Sequence, residues 1–304
     1  MAEARRSATL AIVGLPNSGK STLLNALAGQ KLAATSPTPQ TTRTRILAVV
    51  EQGALQVAFL DTPGFHVPHH LVNQRMMAHV HEAMGAADFV LWVVDATGFL
   101  GPGERDLARQ LKALGRPVYL LLNKLDLCSK GALMAKVVEY KDLLDFREII
   151  PISAKAQTNL EPLWAVLARD APIRAWAHDG DAFTDQTERR LAAEFIREKV
   201  LRKTREEVPH GVAVLVRRWV EAGGEDYPED LPEDGVLIHA DIVLENAHHR
   251  MIILGAQGQM IRDIRLSAQR EIRRMLERPV RLDLHVSVEE GWRDNAAKLD
   301  RLET

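Results

Sequence analysis

Cysteine is nearly absent. Cys128 stands alone in 304 residues, which excludes an intramolecular disulfide and a cysteine-rich zinc or redox site. A reducing, cytoplasmic setting is the expectation. Long apolar runs are missing as well: the longest, such as residues 89–94 and 118–122, are strand-sized and far short of the roughly 18 residues that suggest a membrane span. The chain shows no internal repeat and no low-complexity segment. With 46% hydrophobic and 26% charged residues, disordered, collagenous and disulfide-scaffold chains are set aside. What remains is a soluble globular protein long enough for two domains. Arg5 and Arg6 precede a short apolar run at 10–13. A glycine-rich loop follows where a signal sequence would need a cleavage site, so the run reads as a first strand.

Net charge is only −2, but its layout is uneven. From Arg250 to Arg281 there are eight arginines against three acids, while residues 225–234 carry six acids and no base. The acidic stretch contains Pro228 and Pro232 and reads as a solvated loop.

Strand-like runs at 10–13, 54–60, 89–94, 118–122 and 149–152 alternate with helical patterns. Such alternation predicts an α/β domain with a mostly parallel sheet covered on both faces, and ligands at the carboxyl ends of its strands. The pattern lapses near residue 172. We place the first domain at 1–175, a linker at 176–185 and a smaller α+β domain at 186–304. The second should run helix from about Asp185 to Thr204, strands at 212–220 and 236–245, helices around 258–277 closed by Pro279, and a last strand at 280–288.

The strand at 10–13 leads into Gly14-Leu15-Pro16-Asn17-Ser18-Gly19-Lys20-Ser21. Two glycines spaced by four residues, then lysine and a hydroxyl, form a phosphate-binding loop when they link strand to helix. Backbone N–H groups of Gly14, Asn17, Ser18, Gly19 and the residues through Thr22 can cradle phosphate oxygens, aided by the helix dipole. Lys20 should reach the outer phosphates and Ser21 should ligate Mg²⁺. Asp61-Thr62-Pro63-Gly64 follows the next strand, where Asp61 can hold the metal's second shell and the N–H of Gly64 can sense a γ-phosphate. Asn123-Lys124-Leu125-Asp126 ends a further strand. A carboxylate at Asp126 can accept two hydrogen bonds from the edge of guanine, which adenine cannot donate. Lys124 can lie over the nucleotide and Asn123 can tie loops together. Ser153 and Ala154, in Ile152-Ser153-Ala154-Lys155, suit a backbone N–H aimed at the guanine oxygen. Each element alone could be an ordinary loop; four in order on successive strand ends point to GTP as substrate.

With these motifs the chain resembles the translation-factor-like GTPases, and Pro39-Gln40-Thr41-Thr42-Arg43-Thr44-Arg45 is similar to the first switch of the Era branch. The resemblance implies a GTPase in which Lys20, Thr42, Gly64 and Asn17 act on the reaction. Thr42 closes over Mg²⁺ with Ser21 and Asp61, and Thr41 is the competing candidate. Ras-like enzymes place a water-positioning glutamine just after this glycine; here the residues are Phe65 and His66. Asn17 matches the asparagine with which potassium-activated relatives hold a monovalent cation, making K⁺ a candidate activator. His66 as a base competes with a merely solvated loop histidine. His66, His69, His70, His79 and His81 lack the fixed spacing of a zinc site, and Cys128 reads as a small apolar filler.

In the second domain, Gly255-Ala256-Gln257-Gly258 lies between apolar stretches, with Arg262 and Arg265 close behind. A Gly-x-x-Gly turn is how a KH domain clamps about four nucleotides of single-stranded RNA. Alone it is a plain helix turn; the arginine excess, the flanking apolar residues and the order of elements resemble the bacterial, type II KH fold. Arg205-Glu206-Glu207-Val208-Pro209-His210 and Trp292-Arg293-Asp294 extend the resemblance along the chain. Inside the turn stand Ala256 and Gln257, where that family commonly has a lysine first. The implied function is a GTP-hydrolysing switch that binds small-subunit ribosomal RNA and assists assembly of the small ribosomal subunit. The alternative is a GTPase with another RNA, or with an anionic membrane surface reached through basic residues. Nothing in the pattern implies a stable oligomer.

Overall fold

The computed structural model describes residues 4–38, 41–178, 183–204 and 208–303. Pro39 and Gln40 of the first switch, residues 179–182 of the expected linker and Arg205, Glu206 and Glu207 lie outside the described residues. The chain groups into two compact units: Met1–Thr35, Thr42–Pro68 and Asn73–Asp185 form one, and Ser36–Thr41, His69–Val72 and Gln186–Thr304 the other.

The first unit is built on β1 (Arg6–Val13), β2 (Ile46–Gln52), β3 (Leu55–Asp61), β4 (Phe89–Asp95), β5 (Val118–Asn123) and β6 (Phe146–Pro151), in the spatial order β2-β3-β1-β4-β5-β6. All neighbours pair in parallel except β2 with β3, which form an antiparallel hairpin. The five expected strands are present: those at 10–13, 89–94 and 118–122 extend further, the one at 54–60 is shifted by one residue, the one at 149–152 starts and ends earlier, and β2 is an addition. Gly53, at φ 61, turns the chain between β2 and β3.

Alternation along β1 sends Leu10 and Ile12 to one face and Ala11 and Val13 to the other. The first face packs against Leu23, Leu24 and Leu27 of α1 (Lys20–Ala28) and Leu163 and Leu167 of α5 (Glu161–Asp170). The second packs against Met76 and Val80 of α2 (Leu71–Ala86), Leu107 and Leu111 of α3 (Pro102–Leu114), and Tyr140 of α4 (Lys130–Tyr140), where Trp92 is fully buried. Because β3 and β4 flank β1 on opposite sides, the loops leaving β1 and β3 diverge, opening the crevice where such sheets take ligands.

The second unit follows the expected order. After α6 (Glu188–Lys203) come β7 (Val212–Glu221), β8 (Val236–Leu244), α7 (His248–Leu254), α8 (Gln259–Leu276), β9 (Val280–Val288) and α9 (Ala296–Glu303). β8 lies between an antiparallel β7 and a parallel β9. Helix α6 begins at Glu188 rather than near Asp185, because Thr187 in extended conformation accepts the N–H of Arg190 and caps it. Phe195, Ile196 and Val200 of α6 and Ile264, Ala268 and Ile272 of α8 share one core with Ile238, Ile242 and Leu282 of the sheet. Helix α9, which the sequence pattern did not reveal, contributes Leu299 and Leu302 to a smaller core around Trp292 and Val243. Residues 225–234 form turns between β7 and β8. Two of their acids pair back onto arginines: Asp226 with Arg218 at 2.8 Å and Asp230 with Arg281 at 2.9 Å.

Candidate functional site

The loop from Gly14 to Gly19 leaves β1 and turns into α1 through backbone that side chains would obstruct. A Cβ on Gly14, at φ 154, would stand 2.2 Å from the carbonyl oxygen of Val93; one on Gly19, at φ 98, would stand 2.2 Å from the amide of Asn123. Asn17 itself takes a left-handed φ of 63. Lys20 is buried and donates from Nζ to the carbonyl of Leu15 at 3.0 Å, which keeps its ammonium within the loop. Burial lowers its pKa to about 8, against the opposing charge of Asp61. Ser18 is buried, and its Oγ has no partner among the described residues. Thr22 lies in the first turn of α1.

Ser21, Thr42 and Asp61 come together. The hydroxyl of Ser21 donates to Oδ2 of Asp61 at 2.7 Å and lies 2.8 Å from Oγ1 of Thr42. Oδ1 of Asp61 is buried and unpaired among the described residues. Burial raises the Asp61 pKa to about 6, with Lys20, Ser21 and the backbone of Thr62 pulling the other way. Two hydroxyls and a carboxylate converge where a hard cation is expected, and the second carboxylate oxygen of Asp61 is buried with no donor among the described residues, so the residues present fit Mg²⁺. Thr41 instead turns its hydroxyl to the carbonyl of Thr38 at 2.8 Å.

Gly64 presses against the phosphate loop. A Cβ there would approach Pro16 to 2.8 Å, and the next residue, Phe65, donates its N–H to the carbonyl of Gly14 at 2.9 Å. A side chain would push this segment away from the place where a γ-phosphate would be sensed.

At the end of β5, Asn123 is buried and bridges loops. Its amide nitrogen donates to the carbonyl of Ser18 at 2.8 Å, and its oxygen accepts the N–H of Ala154 at 2.9 Å. That N–H, one of the two the sequence offers toward the guanine oxygen, is engaged by Asn123. Ser153 donates to Oδ1 of Asp126 at 2.5 Å, orienting the exposed carboxylate. Lys124, at φ 69, reaches Oδ2 of Asp95 at 2.5 Å. Burial opposes the charge of Asp95, but bonds from Lys124 and Thr97 hold its carboxyl below the usual range. Sequence reasoning missed Asp95; its signal is a carboxylate ending β4, in register with Asn123. Cys128 packs beside the apolar core under α4.

In the second unit, Gly255 to Gly258 make the turn between α7 and α8 with three left-handed residues: Gly255 at φ 69, Gln257 at φ 52 and Gly258 at φ 74. A Cβ on Gly255 would come within 2.6 Å of that of Met260, so the close turn requires glycine there. Ala256, Gln257 and Arg262 are exposed, as are Met251 and Ile252 on α7. Arg265 is half-buried and donates to the carbonyl of Leu282 at 3.5 Å. Part of the arginine excess is spent within the fold, since Arg278 pairs with Glu188 and Glu221. Among the described residues, no helix is long and apolar enough to cross a membrane.

The phosphate loop, the converging hydroxyls and carboxylate, and the guanine-directed Asp126 on a doubly wound sheet define a P-loop GTPase, here joined to a KH-type unit. A family model described as 50S ribosome-binding GTPase matches residues 9–124, and a KH domain model matches residues 207–293. The chain is 38% identical over 291 residues to GTPase Era of Heliobacterium modesticaldum, covering 96% of this chain and 94% of that protein. It is also 38% identical over 298 residues to GTPase Era of Ruminiclostridium cellulolyticum, covering 98% and 97%. Two solved Era structures each superpose with a TM-score of 0.91 over 98% of both chains. One, at 32% identity, is in complex with MgGDPNP and nucleotides 1506–1542 of 16S ribosomal RNA; the other, an Aquifex aeolicus variant at 33%, is bound to GDP·AlF4⁻. The chain belongs to the Era family of GTPases, and the reaction it serves is hydrolysis of GTP to GDP and phosphate.

Proposed function

We propose that this chain is a GTP-driven switch that binds the small-subunit ribosomal RNA through its KH unit and assists assembly of that subunit in the cytoplasm. The observation that carries the nucleotide half is the convergence of Ser21, Thr42 and Asp61 beside a buried lysine and a buried serine hydroxyl that has no partner among the described residues. Ser21 and Thr42 would hold Mg²⁺ through their hydroxyls and Asp61 would support it. When bound, the ion neutralises charge on the β- and γ-phosphates. Lys20 places a cation against the same oxygens, and the backbone of the loop supplies fixed donors that need no rearrangement as charge develops. Gly64 presents its N–H where a γ-phosphate is present or missing, so its segment differs between the two nucleotide states. Asn17 would hold a K⁺ ion against the phosphates. Asp126 reads the guanine edge, and Asn123 fixes the loops that carry Ser18 and Ala154.

For the RNA half, the exposed turn from Gly255 to Gly258 lets backbone approach a nucleic-acid backbone closely. Met251 and Ile252 offer apolar surface for bases, and Arg262 supplies charge. The related Era structure held with nucleotides 1506–1542 of 16S ribosomal RNA supports ribosomal RNA as the partner. The test is to crosslink RNA to the purified chain with GTP and with GDP, then sequence what is bound. Enrichment of the 3′ end of small-subunit RNA is expected. Recovery of unrelated RNA in both states would overturn the proposal.

A further inference from the structure

Two residues beyond Gly64, the imidazole of His66 has nitrogens in unlike surroundings. Nδ1 lies 2.6 Å from the carbonyl oxygen of Gly64. A carbonyl only accepts, so Nδ1 carries the proton and, in the neutral ring, Nε2 holds the lone pair. Nε2 is buried and has no partner among the described residues. A buried acceptor left without a donor is costly, and such a group in a folded protein calls for an explanation, a catalytic role or a bound water among them.

Its position gives the orphan a meaning. The ring is tied to the same glycine that abuts Pro16, and Phe65 between them is pinned to Gly14. Where Ras-like enzymes offer a glutamine to the attacking water, this chain has the buried Phe65, which can accept nothing. Asp61 is already committed to Ser21 and the cation site.

We propose that Nε2 of His66 accepts a hydrogen bond from the attacking water, with the carbonyl of Gly64 fixing the tautomer that makes this possible. This rests on Gly64 being the γ-phosphate sensor. As the water oxygen bonds to the γ-phosphorus, the bond from that phosphorus to the β–γ bridging oxygen breaks and its electron pair leaves on GDP. The water proton aimed at Nε2 departs with the phosphate, and the ring ends neutral.

The side-chain geometry of amides allows a direct test. In His66→Asn the amide nitrogen falls where Nδ1 was and keeps the bond to Gly64, but nothing stands at Nε2. In His66→Gln an acceptor reaches the Nε2 position. Single-turnover hydrolysis of GTP by the unmodified chain is measured first, which separates failure of this proposal from failure of the site reading. His66→Asn should then lose about 10²-fold in rate, in the range of a lost acid–base contact, while His66→Gln retains at least about a tenth of the activity. Affinity for a non-hydrolysable GTP analogue should stay unchanged in both, while affinity for GDP with aluminium fluoride falls in His66→Asn alone. Unchanged hydrolysis in His66→Asn, equal losses in both variants, or loss of analogue binding in both would each overturn the proposal.

Discussion

Asn123 donates to the carbonyl of Ser18 and accepts from the N–H of Ala154, so one buried amide joins the phosphate loop to the loop after β6. Replacing it by alanine strands a carbonyl and an N–H in a dry place. Asn123→Ala should destabilise the first unit by about 2 kcal/mol, a fall in Tm of about 5 °C for a domain of this size. GDP and GTP affinities should fall together, because the loop positions and not one phosphate contact are lost. Thermal unfolding with and without nucleotide checks both; a wild-type Tm would show the bridge to be incidental.

Asp126 is exposed and already oriented by Ser153. An amide at this position presents a donor where guanine also presents donors, so Asp126→Asn should move preference from guanine toward xanthine nucleotides. Competition binding of GTP against XTP decides it. Unchanged GTP affinity would remove Asp126 from base recognition.

The strand-end motifs were readable because each is a short run whose backbone and side chain do one job in one place. Gly14 and Gly19 are required by contacts of 2.2 Å that no larger residue could tolerate, and that requirement leaves a mark in the sequence. Thr41 and Thr42 could not be separated in advance, since neighbouring hydroxyls in a loop without periodicity differ only in what folds against them. The hairpin of β2 and β3 did carry a signal, an apolar run before Glu51-Gln52-Gly53, but pairing is a property of two segments and not of one. The bond from the N–H of Ala154 to Asn123, and the Nε2 of His66 that has no partner among the described residues, depend on residues far apart or on ring orientation. No pattern along the chain records either.

The coupled pair Lys20 and Asp61 makes nucleotide binding pH-dependent in two directions. Asp61 without nucleotide titrates at about 6 instead of 3.8, so the folded chain keeps a proton that the unfolded chain sheds between those values. Its contribution to stability therefore declines as pH rises through that window. Lys20, lowered from 10.5 to about 8, does the reverse, adding stability as pH rises from about 8 to 10.5. Mg²⁺ and triphosphate select the ionised carboxylate and the charged ammonium, so binding should release a proton near pH 6 and take one up near pH 9. Titration calorimetry in two buffers of different ionisation enthalpy measures both. Absence of proton release at pH 6 would mean that Asp61 does not support the cation.

Ala256 and Gln257 are exposed at the tip of the turn between α7 and α8. Two aspartates there would repel the backbone of an RNA strand, while neither side chain is needed for the fold. The double variant Ala256→Asp, Gln257→Asp should lose RNA binding at moderate salt and keep wild-type GTP affinity. Filter binding with a small-subunit RNA fragment reads the first, and fluorescence of a labelled nucleotide the second. Retained RNA affinity would assign the exposed arginines of α8 to some other partner.

Asn17 occupies a left-handed position within the phosphate loop, at φ 63, and potassium is the candidate ligand for its side chain. A monovalent cation held there would stabilise charge that builds on the phosphates in the transition state, the task an arginine finger performs in other GTPases. Hydrolysis should then run faster in potassium than in sodium at equal ionic strength. Asn17→Ala should abolish the difference without abolishing GTP binding, because the backbone donors and Lys20 remain in place. RNA is the competing source of catalytic help, so turnover must be measured in both salts with and without the RNA fragment. A potassium advantage that persists without RNA and disappears in Asn17→Ala supports the cation; equal rates in both salts under both conditions would exclude it and leave the acceleration to RNA.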